Sequence, residues 1–162
     1  MAIREAQGPH LIVRTSWVYA AEGTNFLNTI IGLSRERSEL RIVADQIGAP
    51  TPARVIARIV TTILEQCRSD MRARFAHAEG VINVATSGET SWHGFATAIV
   101  DRLKARGNRL QIASIVPVRT QDYPSKARRP HNSRLDLSRL SRQFGIVPPA
   151  WEDALSTELV YI

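Results

Sequence analysis

Four short runs rich in β-branched residues, "HLIVRT" (10–15), "LRIVA" (40–44), "GVINVA" (80–85) and "LQIASIVPV" (110–118), alternate with longer stretches whose apolar residues recur at three and four. This alternation constrains the fold more than any other feature. Short apolar runs such as "HLIVRT" read as strands buried on both faces, and the intervening period marks helices, so the strands are joined by crossovers. The expected class is α/β, a parallel or mixed sheet with flanking helices. No linker, repeat or low-complexity segment stands out, so residues 1–162 are expected to form a single unit.

Local signals agree with that layout. Residues 2–7 read as the end of a helix stopped by Gly8-Pro9. Thr24 or Asn25 is placed to cap a helix through "FLNTIIGLSRER", with Phe26, Leu27, Ile30, Ile31 and Leu33 on one stripe. Thr51 before Pro52 reads as the N-cap of the next helix, whose apolar face carries Val55, Ile56, Ile59, Val60, Ile63 and Leu64. "SGETSWHGFATAIVDRLKARG" begins with capping residues, puts Trp92, Phe95, Ile99 and Leu103 on one face and ends at Gly107. Helices near 136–143 and from about Pro149 close the chain.

Composition narrows the function. At 44% hydrophobic the chain has material for a core. No apolar run approaches the roughly 18–20 residues of a membrane span, and "MAIREAQGPH" lacks the apolar region of a signal peptide. Cys67 is the only cysteine, which excludes an intrachain disulfide and a Cys-rich zinc site. Its place on an apolar face near a helix end marks a small core residue. These features imply a soluble, cytoplasmic protein. His10, His77, His93 and His131 lie far apart without metal-ligand spacing.

The net charge of +6 is concentrated in residues 118–143. Such a patch serves nucleic acid or a small polyanion such as a pyrophosphate. Helix-turn-helix spacing, zinc-finger ligands and an aromatic-basic RNA motif are all missing, which disfavours nucleic acid. The nine glycines are scattered and form neither G-x-G-x-x-G nor a G-K-[ST] loop, so this chain has no usual means of holding a dinucleotide.

Three segments stand out as candidate sites. In "LIVRTSWVYAAEGTNF" Trp17 is placed to stack on a base or sugar ring or to cover the strand ends, and Asn25 to donate to a phosphate or to cap its helix. In "DQIGAPT" Gly48 and Pro50 force an irregular turn at the carboxyl end of a strand, where α/β folds bind ligands. Gln46 would present there an amide able to donate and to accept, unless the segment is an ordinary loop. In "YPSKARRPHNSRLD" two prolines stiffen the loop that carries Arg128 and Arg129. Guanidinium forks suit a pyrophosphate, and a solvated basic loop is the bland alternative.

Taken in order and spacing, "RTSWVY…NF", "DQIGAPT", "SGETSWHGFA" and "YPSKARRPHNSRLD" resemble the later half of the dTDP-4-dehydrorhamnose reductases, extended short-chain dehydrogenase/reductases. The resemblance implies a Rossmann-like fold and NADPH-dependent reduction of dTDP-4-dehydro-L-rhamnose at C4. The product, dTDP-L-rhamnose, feeds O-antigen and other surface polysaccharides. It also carries a nucleotide-sugar contact onto Trp17 and places Asn25, Arg128 and Arg129 around the substrate cleft.

Members of that family open with a G-x-x-G-x-x-G turn and later carry a Ser or Thr and a Tyr-x-x-x-Lys pair. Here the residue four after Tyr19 is Gly23, and four after Tyr123 is Ala127. The expectation is therefore a C-terminal, substrate-binding portion without its cofactor half, holding no catalytic residue and inactive alone. Its partners would be a dTDP-sugar and, across an unpaired sheet edge, a second copy or the missing half. A non-catalytic regulatory subunit of the same fold is the alternative.

Overall fold

The structure, a computed structural model, describes residues 2–5, 8–123 and 129–162. In chain order its elements are α1 (Ala2–Glu5), β1 (Ile12–Arg14), β2 (Val18–Tyr19), α2 (Phe26–Glu36), β3 (Glu39–Val43), β4 (Ile47–Gly48) and β5 (Thr51–Pro52). Then follow α3 (Ala53–Gln66), α4 (Met71–His77), β6 (Val81–Asn83), β7 (Thr90–Ser91), α5 (Trp92–Ala105), β8 (Ser114–Val118), α6 (Ser138–Phe144) and α7 (Trp151–Glu158). Short 3-10 turns occupy Thr120–Asp122 and Leu159–Tyr161.

The strands pair two by two. β1 with β6, β2 with β5 and β3 with β8 are parallel, while β4 with β7 is antiparallel. Parallel pairing requires crossovers, and the helices supply them. The α/β class expected from the alternation is the one observed.

Two apolar clusters hold these layers. One gathers Leu27, Ile30 and Ile31 of α2, Phe95, Ile99 and Leu103 of α5, and Trp151 and Leu155 of α7 around Tyr19 and Leu40. The other gathers Ile59, Ile63 and Cys67 with Phe75, Ile82, Val84, Leu140 and Phe144. Fully burying a side chain of this size contributes about 1.5–3 kcal/mol, so each cluster outweighs any single polar contact at the site. Cys67 is fully buried, as expected of a core thiol.

Four local expectations need correction. β1 is half-buried with Arg14 exposed, because only one of its edges is paired among the described residues. Thr51 does not cap α3. Its hydroxyl donates to Ala49 O and accepts from Thr86 N, and Pro52 takes the N-cap position without a side-chain bond. Leu64 is 47% exposed rather than part of the α3 core face. The run "LQIA" stays irregular, and β8 begins at Ser114.

Candidate functional site

Adjacent parallel strands β3 and β8 end side by side, with Val43 opposite Val118. Beyond their carboxyl ends lies a cavity of about 420 Å³. This is the edge at which α/β sheets bind ligands, because the loops there diverge and leave a crevice. Gln46 enters it from the loop after β3, and Thr120 and Tyr123 from the segment after β8. Val18 of β2 and the first residues of α2 and α5, Phe26 and Trp92, complete an apolar wall with Ile42 and Val43. Two helix N-termini therefore open on the cavity, where their dipoles favour negative charge.

The aromatic wall is built in layers. Trp92 stacks on Trp17 with centroids 3.7 Å apart and planes 8° from parallel. Phe26 lies 4.6 Å from Trp92 at a tilt of 47°. Behind Trp17 sits Gly48, where an added Cβ would fall 2.4 Å from Cε2 of the indole. Trp92 on one face and Gly48 against the ring place Trp17 as the backing of the wall, with Trp92 as the aromatic that lines the cavity. Trp17 also has φ +50°, a left-handed conformation rare for a bulky residue, and its carbonyl accepts from Thr51 N at 3.1 Å. The strained backbone holds the indole where sheet pairing alone would not put it.

The polar side of the cavity carries Arg41 of β3 and Arg129, two permanently charged guanidiniums that can each grip a phosphate through paired N–H groups. Just after the ends of β3 and β8 runs a short hydrogen-bonded chain. Gln46 Nε2 donates to Thr120 Oγ1 at 3.1 Å, and Thr120 Oγ1 donates to Asp45 Oδ1 at 2.6 Å. Thr120 N also donates to both Asp45 oxygens, at 2.9 and 3.1 Å. The Thr120 hydroxyl and amide hold the Asp45 carboxyl below the usual carboxylate range, with a smaller push from His131.

Asn25 sits beside the wall but spends its amide on structure. Its Oδ1 accepts from Asn28 N at 3.2 Å, and Nδ2 donates to Ala20 O at 2.9 Å and Glu22 O at 3.1 Å. This ties the β2–α2 loop to the start of α2. Asn25→Ala is expected to cost about 1 kcal/mol, or roughly 3 °C in Tm, read by thermal melting. A variant as stable as the parent would remove the capping role.

Of the side chains singled out from sequence, Gln46 and Arg129 line the cavity, Trp17 backs it and Asn25 caps its border. Arg128 lies outside the described residues. Sequence reasoning missed Arg41, Thr120 and the cavity-lining position of Trp92. Arg41 is an exposed position between buried Leu40 and half-buried Ile42 of a short strand, and Trp92 reads from periodicity as part of a core face. No group of His, Cys, Asp and Glu able to hold a metal occurs among the described residues. No described helix is long and apolar enough to cross a membrane.

A second tyrosine of interest, Tyr19, is 2% exposed and packs 5.1 Å from Phe95. Burial, aided by nearby Glu158, raises its phenol far above the ordinary value, so it stays protonated in the core. Glu158, itself 3% exposed, accepts from Ala21 N at 2.9 Å and pairs with Arg54 at 3.5 Å, tying α7 to the loop beside the cavity.

Three known proteins similar to this chain share one name. The dTDP-4-dehydrorhamnose reductase of Burkholderia thailandensis is 45% identical over 157 residues, covering 96% of this chain and 52% of that protein. The solved structure of the Bacillus anthracis dTDP-4-dehydrorhamnose reductase in complex with NADP aligns with a TM-score of 0.79 at 29% identity, over 99% of this chain and 51% of that one. The Clostridium acetobutylicum structure named for the same reductase also aligns at 0.79 and 29%, over 96% and 50%. The chain thus spans about half the length of the relatives it matches.

Among the described residues there is no glycine-rich turn of the kind that holds a dinucleotide. The glycines with positive φ, at 23, 80, 88, 107 and 145, are widely separated. The profile described as "RmlD substrate binding domain" matches residues 1–160, and the chain belongs to that family.

Proposed function

We propose that this chain forms the dTDP-sugar-binding part of a dTDP-4-dehydrorhamnose reductase. The observation that carries the reading is the convergence of an aromatic wall, two guanidiniums and an oriented amide in one cavity beyond β3 and β8. Thymine or sugar stacks against Trp92, backed by Trp17. The diphosphate lies toward Arg41 and Arg129, with Arg128 carried over from the family motif. Gln46 makes a polar contact to the ligand.

The chain's own contribution is to bind, orient and shield the sugar nucleotide. NADPH chemistry belongs to the cofactor-bearing part of the whole reductase, and the chain alone is proposed to be inactive. The open edge of β1, which pairs only with β6 among the described residues, supports association with that part or with a second copy. A cytoplasmic place in surface-polysaccharide synthesis follows from the same reading.

Calorimetric titration of the purified chain tests it. Saturable binding of dTDP-L-rhamnose is expected, weakened about tenfold or more by Arg129→Ala through loss of a charge-assisted contact. NADPH is expected to give no saturable binding. A folded chain that does not bind dTDP-L-rhamnose would overturn the reading.

A further inference from the structure

The hydroxyl of Thr120 has one proton and two lone pairs. Asp45, as an ionised carboxylate, can only accept, and it lies 2.6 Å from Thr120 Oγ1, so that single proton points at Asp45. What Thr120 then offers Gln46 is a lone pair. The carboxamide must answer with Nε2, at 3.1 Å, and cannot turn its oxygen toward Thr120 without setting acceptor against acceptor. The backbone amide of Thr120, bonded to both carboxylate oxygens, fixes the carboxylate that sets this direction. Gln46 is 6% exposed and lines the cavity, so the amide has little freedom to turn elsewhere.

We propose that Asp45 and Thr120 are positioning residues that lock the Gln46 carboxamide with Oε1 as the acceptor offered to the cavity, selecting ligands that present a hydrogen-bond donor there. The donor is either the ring imide N–H of a thymine-type base or a sugar hydroxyl. A ligand with an acceptor at that point meets a matching acceptor and loses affinity. This inference rests on the dTDP-sugar reading for its ligand, while the relay itself is a property of the free protein.

Two variants and two ligands test it. Thr120→Val removes the relay and Thr120→Ser restores it with the smaller side chain. In ligand-free protein, the Gln46 side-chain amide pair in a 15N–1H spectrum should show one slowly exchanging, hydrogen-bonded proton. That signature is lost in the Val variant and kept in the Ser variant.

In calorimetry, Thr120→Val should weaken dTDP-L-rhamnose binding about tenfold and Thr120→Ser by less than about twofold, the scale of one oriented hydrogen bond. The same loss with dTDP alone assigns the donor to the base, and a loss confined to the sugar nucleotide assigns it to a sugar hydroxyl. An unchanged Gln46 amide in the Val variant overturns the relay. Equal affinity in wild type and Val variant, or equal loss in Val and Ser, overturns the selective role. Failure of the wild-type chain to bind either ligand overturns the dTDP-sugar reading and the ligand half of the proposal, with the amide spectrum still deciding the relay.

Discussion

Gly48→Ala is expected to destabilise the chain by about 3 kcal/mol, near the upper end for overpacking, and to lower Tm by roughly 6–12 °C. The added methyl would fall 2.4 Å from Cε2, 2.7 Å from Nε1 and 2.8 Å from Cδ2 of Trp17. These are atoms of a rigid ring, not the end of a flexible side chain. Trp17 has no easy retreat, because Trp92 is stacked on it at 3.7 Å and its backbone is held at φ +50° with its carbonyl bonded to Thr51. Gly48 is itself paired with Thr90 across β4 and β7, so it cannot move away freely.

Gly32→Ala provides the contrast. It lies within α2, and an added Cβ there meets nothing within 4 Å. The change should be stabilising by roughly 0.5–1 kcal/mol, because alanine loses less backbone entropy in a helix. Thermal or urea melts of both variants decide the matter. Similar Tm values for the two would mean that Gly48 does not hold the tryptophan wall.

The second large effect concerns binding. Trp92→Ala is expected to weaken dTDP-L-rhamnose binding roughly 10- to 100-fold, the range for loss of one base-stacking ring. Trp92 is the indole that lines the cavity, whereas Trp17 supports it from behind. Trp92→Phe keeps an aromatic face and should recover most of the affinity. Trp17→Ala should act indirectly, by letting Trp92 tilt, and so weaken binding less. Titrations of the folded variants, checked by circular dichroism, read the order of these losses. A Trp92→Ala chain with parental affinity would remove stacking from the account.

How far the sequence carries such a reading depends on whether its signals are local. The 3.6-residue spacing of α2, α3 and α5 is set by neighbours in the chain, and those helices lie where periodicity puts them. β2, β4, β5 and β7 are two residues each, too short to carry a period, and went unseen. α4, "MRARFAH", buries only Phe75 and lacks an apolar stripe. Thr51 misled because its hydroxyl is claimed by Ala49 and Thr86, the latter thirty-five positions away.

The same holds at the site. Trp17 and Gln46 were legible as residues just beyond strand ends. Which of two stacked indoles faces the cavity was not, since that depends on Gly48 and on an unusual backbone angle at Trp17. Nothing local in the sequence singles out Arg41, which the fold brings to the cavity together with Arg129, eighty-eight positions later. Thr120 gains its role from Asp45, seventy-five positions earlier.

The most direct test of the central claim is an indole 15N–1H titration with dTDP-L-rhamnose, which reads the three tryptophans separately. Trp92 and Trp17 should shift together and saturably. Trp151, 7% exposed and packed edge-on to Phe95, should stay in place. Shifts confined to Trp151, or none at all at saturating ligand, would contradict the assignment of this cavity to the sugar nucleotide.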